Sequence, residues 1–396
     1  MKFSRALALS LISLLLFLSL SAFGLVLTVK YTALSPKFVT SELDSLDMAV
    51  VAEEIISEQS SGDDFPPELM NVVINAIPRV EPLLKEQVSA ATYSVYDYML
   101  GKRPDPELAA TLRSTVLSPG FMASLVDALD ISALAAELSV EQLIENPPEE
   151  LELIASYIDD VIANIAVELE PWIKEQIRNS AGPVVDYLLG ESPSLNVVIP
   201  LTPVIEAGRD TLKQVWLASP PPEFAGLPPA LLAQQFDEVF REVTAEIPAT
   251  IEIDEELLGA ELPAEITEAL AEAEESLVTV REYIGHFQLG YILLIVFILL
   301  LIAGIILINR QVKGSARWIG AGFLAYGLPW YIATFVAKGI GKGQLAELDV
   351  PASIQGWLPQ FVDSLLNPLV IFSLALLITG VVLIVASFFY KRHQLS

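Results

Sequence analysis

The chain predicts an all-α membrane protein with four transmembrane helices. A large extracytoplasmic α-helical repeat domain is inserted between the first and second of them. Three observations lead there: the placement of four long apolar runs, the basic residues beside them, and an internal duplication within the acidic sequence of 31–289.

Crossing a hydrocarbon core of about 30 Å takes roughly 20 apolar residues of helix. The run from about Ala6 to Val29 carries no charge, which makes 1–30 an N-terminal anchor. Ala22-Phe23-Gly24 is a poor small-residue cleavage site, and the apolar run exceeds the roughly 7–15 residues of a signal peptide, so the anchor is read as uncleaved. Gly290 to Ile308 is a second uncharged run, Trp318 to Ala337 a third, and Leu369 to Tyr390 a fourth; together they define a three-helix membrane domain over 290–396. Between the last two, Pro351–Leu366 reads as a short amphipathic helix for the interface, with Trp357, Leu358, Phe361 and Leu365 on its apolar side.

Lys2 and Arg5 precede the first run, Arg310, Lys313 and Arg317 fill a short loop over Asn309–Arg317, and Lys391 and Arg392 follow the fourth. Cytoplasmic flanks are enriched in Lys and Arg. Both termini are therefore expected in the cytoplasm of a cell bounded by this plasma membrane, with 31–289 and 338–367 outside.

The exterior sequence repeats itself. SPKFVTSELDSLDMAVVAEEIISEQ from Ser35 aligns without gaps with SPGFMASLVDALDISALAAELSVEQ from Ser118. A second block runs from Glu81-Pro82 through Asp97-Tyr98-Met99-Leu100-Gly101 to Pro104. It matches Glu170-Pro171 through Asp186-Tyr187-Leu188-Leu189-Gly190 to Pro193 with identical spacing. These matches mark units at 31–117 and 118–218, and a degenerate third over 219–289 that ends in a stalk helix.

Each unit reads as about four helices. Ser-Pro puts a capping side chain before a proline at the first helical position, and Pro66-Pro67, Pro147-Pro148 and Pro228-Pro229 open further helices in the same way. Glu81 with Lys85 and Glu170 with Lys174 have the favourable i,i+4 order. Gly101 and Gly190 stand where a left-handed C-cap is needed. Leu195–Ile199, stopped by Pro200, is the only serious strand candidate. Ala264–Phe287 enters the second apolar run as a continuous stalk, with Gly285 and Gly290 as the points where it would bend.

Composition narrows the chemistry. Residues 31–289 hold about 47 Asp and Glu against about 12 Lys and Arg, a surface that repels nucleic acid and favours cations or basic partners. With no cysteine and only His286 and His393, thiol catalysis, cysteine metal sites and a His-based triad lack their residues. No phosphate loop, nucleophile elbow or HExxH is present. The sequence thus offers no catalytic set, no cofactor site and no metal site that can be assigned. Carboxylates at i,i+3 (Asp44 with Asp47, Asp127 with Asp130) and the pairs Asp63-Asp64 and Asp159-Asp160 lack the loop oxygens of a calcium site and read as solvated faces. The duplicated Asp97-Tyr98 and Asp186-Tyr187 are the surface candidates that remain, able to meet a cation or basic peptide, or simply to pack a tyrosine and cap a helix end.

One exterior domain between a first membrane helix and three more resembles the layout of MacB/FtsX-type ABC permeases. The resemblance covers topology alone. Those permeases carry a mixed α/β exterior domain and a longer cytoplasmic coupling segment than Asn309–Arg317. It implies a membrane subunit of a transport system. The residues themselves favour a non-enzymatic envelope protein, a scaffold or sensor whose acidic exterior domain binds a protein or peptide partner. Partners are thus the bilayer and such a protein, with the oligomeric state open.

Overall fold

The computed structural model describes residues 2–51, 54, 67–128, 155–220, 224, 226–245, 247–255, 262–345 and 350–389. The helix start expected at Pro147-Pro148, and the residues Asp63, Asp64 and Asp130, lie outside them. The described chain is all-α apart from one two-stranded sheet, and four of its helices are long and apolar enough to cross a membrane. Its contacts divide it into two units. One holds 1–54, 92–106 and 276–396, and the other holds 55–91 and 107–275.

In the first unit, α1 spans Lys2–Tyr31, α2 Pro36–Ser45, and α3, Pro67–Met99, contributes its last turns. The membrane helices α9 (Leu262–Asn309, from residue 276), α10 (Val312–Leu345) and α11 (Ala352–Phe389) complete it. A shared core of Leu9, Leu16, Leu20, Ile298, Leu301, Ile305, Ile319 and Tyr326 ties α1, α9 and α10 together, with Phe372, Leu376 and Leu383 of α11 against it. In lipid there is no hydrophobic drive between helices, so close backbone approach has to supply the association. It does so along α10 and α11. A Cβ added at Gly320 would lie 2.9 Å from the Gly380 carbonyl, and one at Gly327 2.8 Å from that of Ser373. Gly320 and Gly327, seven residues on, thus form a packing seam between α10 and α11.

Two readings of this region change. The loop expected over Asn309–Arg317 shrinks to Arg310 and Gln311, because Gln311 accepts the N–H of Ser315 and starts α10 early. The amphipathic stretch is not a separate helix either. It is the start of the 38-residue α11, which absorbs Pro359 and Pro368. Its start is fixed by α2 and the segment after it. The Glu54 carboxylate accepts the N–H groups of Ala352 and Ser353 and the Ser353 hydroxyl, Trp357 donates to Ser45 Oγ at 2.9 Å, and Phe38 meets Phe361. A carboxylate is favoured at a helix N-terminus, and the Ser353 hydroxyl above all holds Glu54 below the usual carboxylate range.

The second unit contains the rest of α3, then α4 (Leu108–Ser114), α5 (Pro119–Ala128), α6 (Ala155–Leu188), β1 (Asn196–Pro200), α7 (Thr202–Ala218), α8 (Pro229–Thr244), β2 (Thr250–Asp254) and the first turns of α9. α6 packs on α5 and α7, and α7 on α8. The capping logic holds: Ser35 and Ser118 each accept from the backbone three residues on, at 3.3 Å, and Pro67 and Pro229 are first residues of their helices. The reading of about four helices per unit takes in 52–66 and 129–154, which apart from Glu54 lie outside the described residues. The Glu-Pro blocks sit inside long helices, so α3 carries Pro78 and Pro82 and α6 carries Pro171 and Pro183. Each interior proline forfeits a backbone bond, but Glu81–Lys85 and Glu170–Lys174 ion pairs at 2.7 and 2.6 Å span two of the sites.

The expected strand is present, and its partner was missed. β1 pairs antiparallel with β2, Val197 opposite Ile253. Thr-Ile-Glu-Ile-Asp at 250–254 alternates with period two, but the run is five residues long and sits beside an acidic helical stretch. α9 then runs unbroken from Leu262 to Asn309 through Gly285 and Gly290.

Candidate functional site: two matched helix ends

The duplicated Asp-Tyr pairs close α3 and α6, and both helix ends adopt the same local structure. Gly101 and Gly190 take φ of +78° and +72°, where an L side chain would be strained. Around each, the hydrogen bonds correspond one to one. Gly101 N–H donates to the Tyr98 carbonyl and Gly190 N–H to that of Tyr187. Lys102 and Arg103 both donate to the Asp97 carbonyl, and Glu191 and Ser192 both donate to that of Asp186. This left-handed cap satisfies carbonyls that a helix end leaves open. Both tyrosines are buried.

The surroundings of the two ends differ. Tyr98 lies in the unit of the membrane helices, under the Arg281 guanidinium of α9, whose carbon is 4.7 Å from the ring centroid. Arg281 also donates to the Pro104 carbonyl at 2.8 Å, just past the cap. Two residues before Tyr98, the Tyr96 hydroxyl donates to the Ala33 carbonyl at 2.7 Å, beyond the end of α1, and burial pushes its pKa up. Asp97 pairs with Lys102 at 2.7 Å. The end of α3 is thus held by α9 and by the chain leaving α1.

Tyr187 instead packs with Leu195 and Val197 of the strand segment, beside Val184, Ile199 and Ile253. Asp186 meets Arg113 of α4 at 2.7 Å, and the same guanidinium pairs with Glu191. Neither aspartate is an open carboxylate awaiting a ligand. Of the other acidic candidates, Asp47 caps the backbone at Val50, and Asp127 pairs with Arg178, whose charge also suits the C-terminal end of α5. Among the described residues no group of three His, Asp or Glu side chains could hold a metal ion.

Sequence reasoning passed over Arg281. The signal was available, because Arg281 is the one cation between Arg241 and Arg310, set in an acidic helical run. No family model matches the chain, and neither do any curated proteins or solved structures.

Proposed function

We propose that this is a non-enzymatic membrane protein of the cell envelope, with 31–289 outside the plasma membrane and both termini in the cytoplasm. Its acidic helical repeat domain binds a protein or peptide partner, in a scaffold or sensor role. The observation that carries the reading is the joint at the end of α3. There Tyr96, Tyr98 and Pro104 are fixed to the Ala33 carbonyl and to Arg281. Through that joint, the first of the two matched segments has a direct mechanical connection to α1 and α9. The strongly acidic composition of 31–289 supports a partner with basic character, drawn by long-range attraction.

A photo-crosslinking residue at the exposed positions Val167 or Val198, used in intact cells, tests this. The expected result is one reproducible adduct, with a partner that no longer co-purifies when 31–289 is deleted. Adducts confined to probes at Arg310 and Lys313, on a nucleotide-hydrolysing subunit, would replace this reading with the transport-subunit one.

A further inference from the structure

The two residues joining α9 to α10 stand at the mouth of an open groove of about 670 Å³. Ile306 and Leu307 of α9, Ile319 of α10 and Leu383 of α11 form its apolar wall, and Arg310 and Ser315 form its polar end. The volume falls within the roughly 300–1,000 Å³ of small-molecule sites. Three observations give this polar end an anionic preference. Arg310 and Lys313 are exposed and make no ion pair among the described residues, whereas Arg317 is already committed to Ser387 Oγ at 3.2 Å and to the Phe388 ring. The first-turn N–H groups of α10, a 34-residue helix, have no intrahelical acceptor, and such a terminus attracts anions. Ser315, in that first turn, is only 5% exposed and its hydroxyl has no hydrogen-bond partner among the described residues. Leaving a buried hydroxyl unpaired costs roughly 1–3 kcal/mol, and an acceptor oxygen at the helix start would remove that cost.

We propose that this groove binds an anionic phospholipid of the surrounding bilayer. Arg310 and the start of α10 take the phosphate, and the acyl chains lie along Ile306, Leu307, Ile319 and Leu383. A soluble anion would use only the polar end. The apolar wall lies on three helices able to cross a membrane, so it is continuous with the lipid and favours the lipid source.

The full-length protein in nanodiscs of mixed phosphatidylglycerol and phosphatidylcholine, extracted into detergent and weighed by native mass spectrometry, tests the site. The wild type should retain phosphatidylglycerol selectively. Arg310→Gln should reduce that retention about fivefold, the equivalent of roughly 1 kcal/mol per cation at a membrane surface, and Arg310→Lys should restore it. Leu307→Trp, a change at an exposed position that leaves the charge in place, should block the groove and also reduce retention. Equal retention of both lipids by the wild type, or full retention by Arg310→Gln and Leu307→Trp, would overturn the proposal. Stabilisation by inorganic phosphate alone, without selective lipid retention, would overturn the lipid assignment in favour of a soluble anion.

Discussion

The ends of α3 and α6 are built from matching sequence and share one backbone solution, but they do different work. At α3 the tyrosine is buried under a cation from a membrane helix; at α6 its counterpart is buried against a small sheet. The cap follows from neighbours within a few residues: Gly at the left-handed position, a carbonyl three or four residues back, and a proline beyond. What the tyrosine and aspartate contact follows from distant chain. The matching sequence carries the first and does not determine the second, so the role of one end is no guide to the role of the other.

The largest effects should come from the tyrosines. Tyr98→Ala and Tyr187→Ala each empty a buried aromatic site, at a cost of about 3–5 kcal/mol. Hydrogen exchange at Lys102 and Arg103 should accelerate in the first variant, and at Glu191 and Ser192 in the second. Loss of protection at both ends from either change would break the claim that the two are locally independent. The caps come next. Alanine in the left-handed conformation costs about 1–2 kcal/mol, so Gly101→Ala and Gly190→Ala both destabilise. Gly190→Ala should be worse, because its Cβ would sit 3.0 Å from Thr267 Cγ2, whereas no described residue comes within 4 Å at Gly101.

The cations sharpen the contrast at lower amplitude. Arg281→Ala should loosen only the α3 end, by roughly 1 kcal/mol for a partly exposed cation–π contact. Arg113→Ala should loosen only the α6 end, by about 1 kcal/mol or less, and salt should mimic it, since its ion pairs are exposed. The smallest effect belongs to the second unit alone. Hydrogen bonds from Arg209, then Lys213, hold Asp237 below the usual carboxylate range. A lowered folded-state pKa gives stability that is present above the unfolded value of about 3.9 and is lost as pH falls through the folded one. Asp237→Asn should therefore flatten the acid limb of the unfolding profile slightly, and a steeper limb would contradict the assignment.

Much of this was legible in the sequence because it is local. The apolar runs, the Ser-Pro helix starts, the helix starts at Pro67 and Pro229, the i,i+4 pairs and the two C-cap glycines all depend on residues within a turn or two, and each is present in the described residues. Where readings failed, the deciding interaction was remote or a local rule was overridden. β2 needed β1, about 50 residues away, to become a strand. Pro78, Pro82, Pro171 and Pro183 each forfeit a backbone bond, yet the helices continue through them. Pro359 and Pro368 likewise sit within α11, whose start takes its cap from Glu54. Arg281 carries no motif and acquires its role only when α9 passes the end of α3.

The account rests above all on a large acidic helical region held outside the membrane, and the absence of cysteine makes that simple to test. Ser194→Cys and Gln311→Cys, each the sole thiol of an otherwise native chain, would be exposed to a membrane-impermeant maleimide in intact cells. The account predicts that Ser194→Cys is labelled at once and Gln311→Cys only after the cells are permeabilised. Labelling of Gln311→Cys in intact cells, with Ser194→Cys protected, would invert the topology and contradict the account.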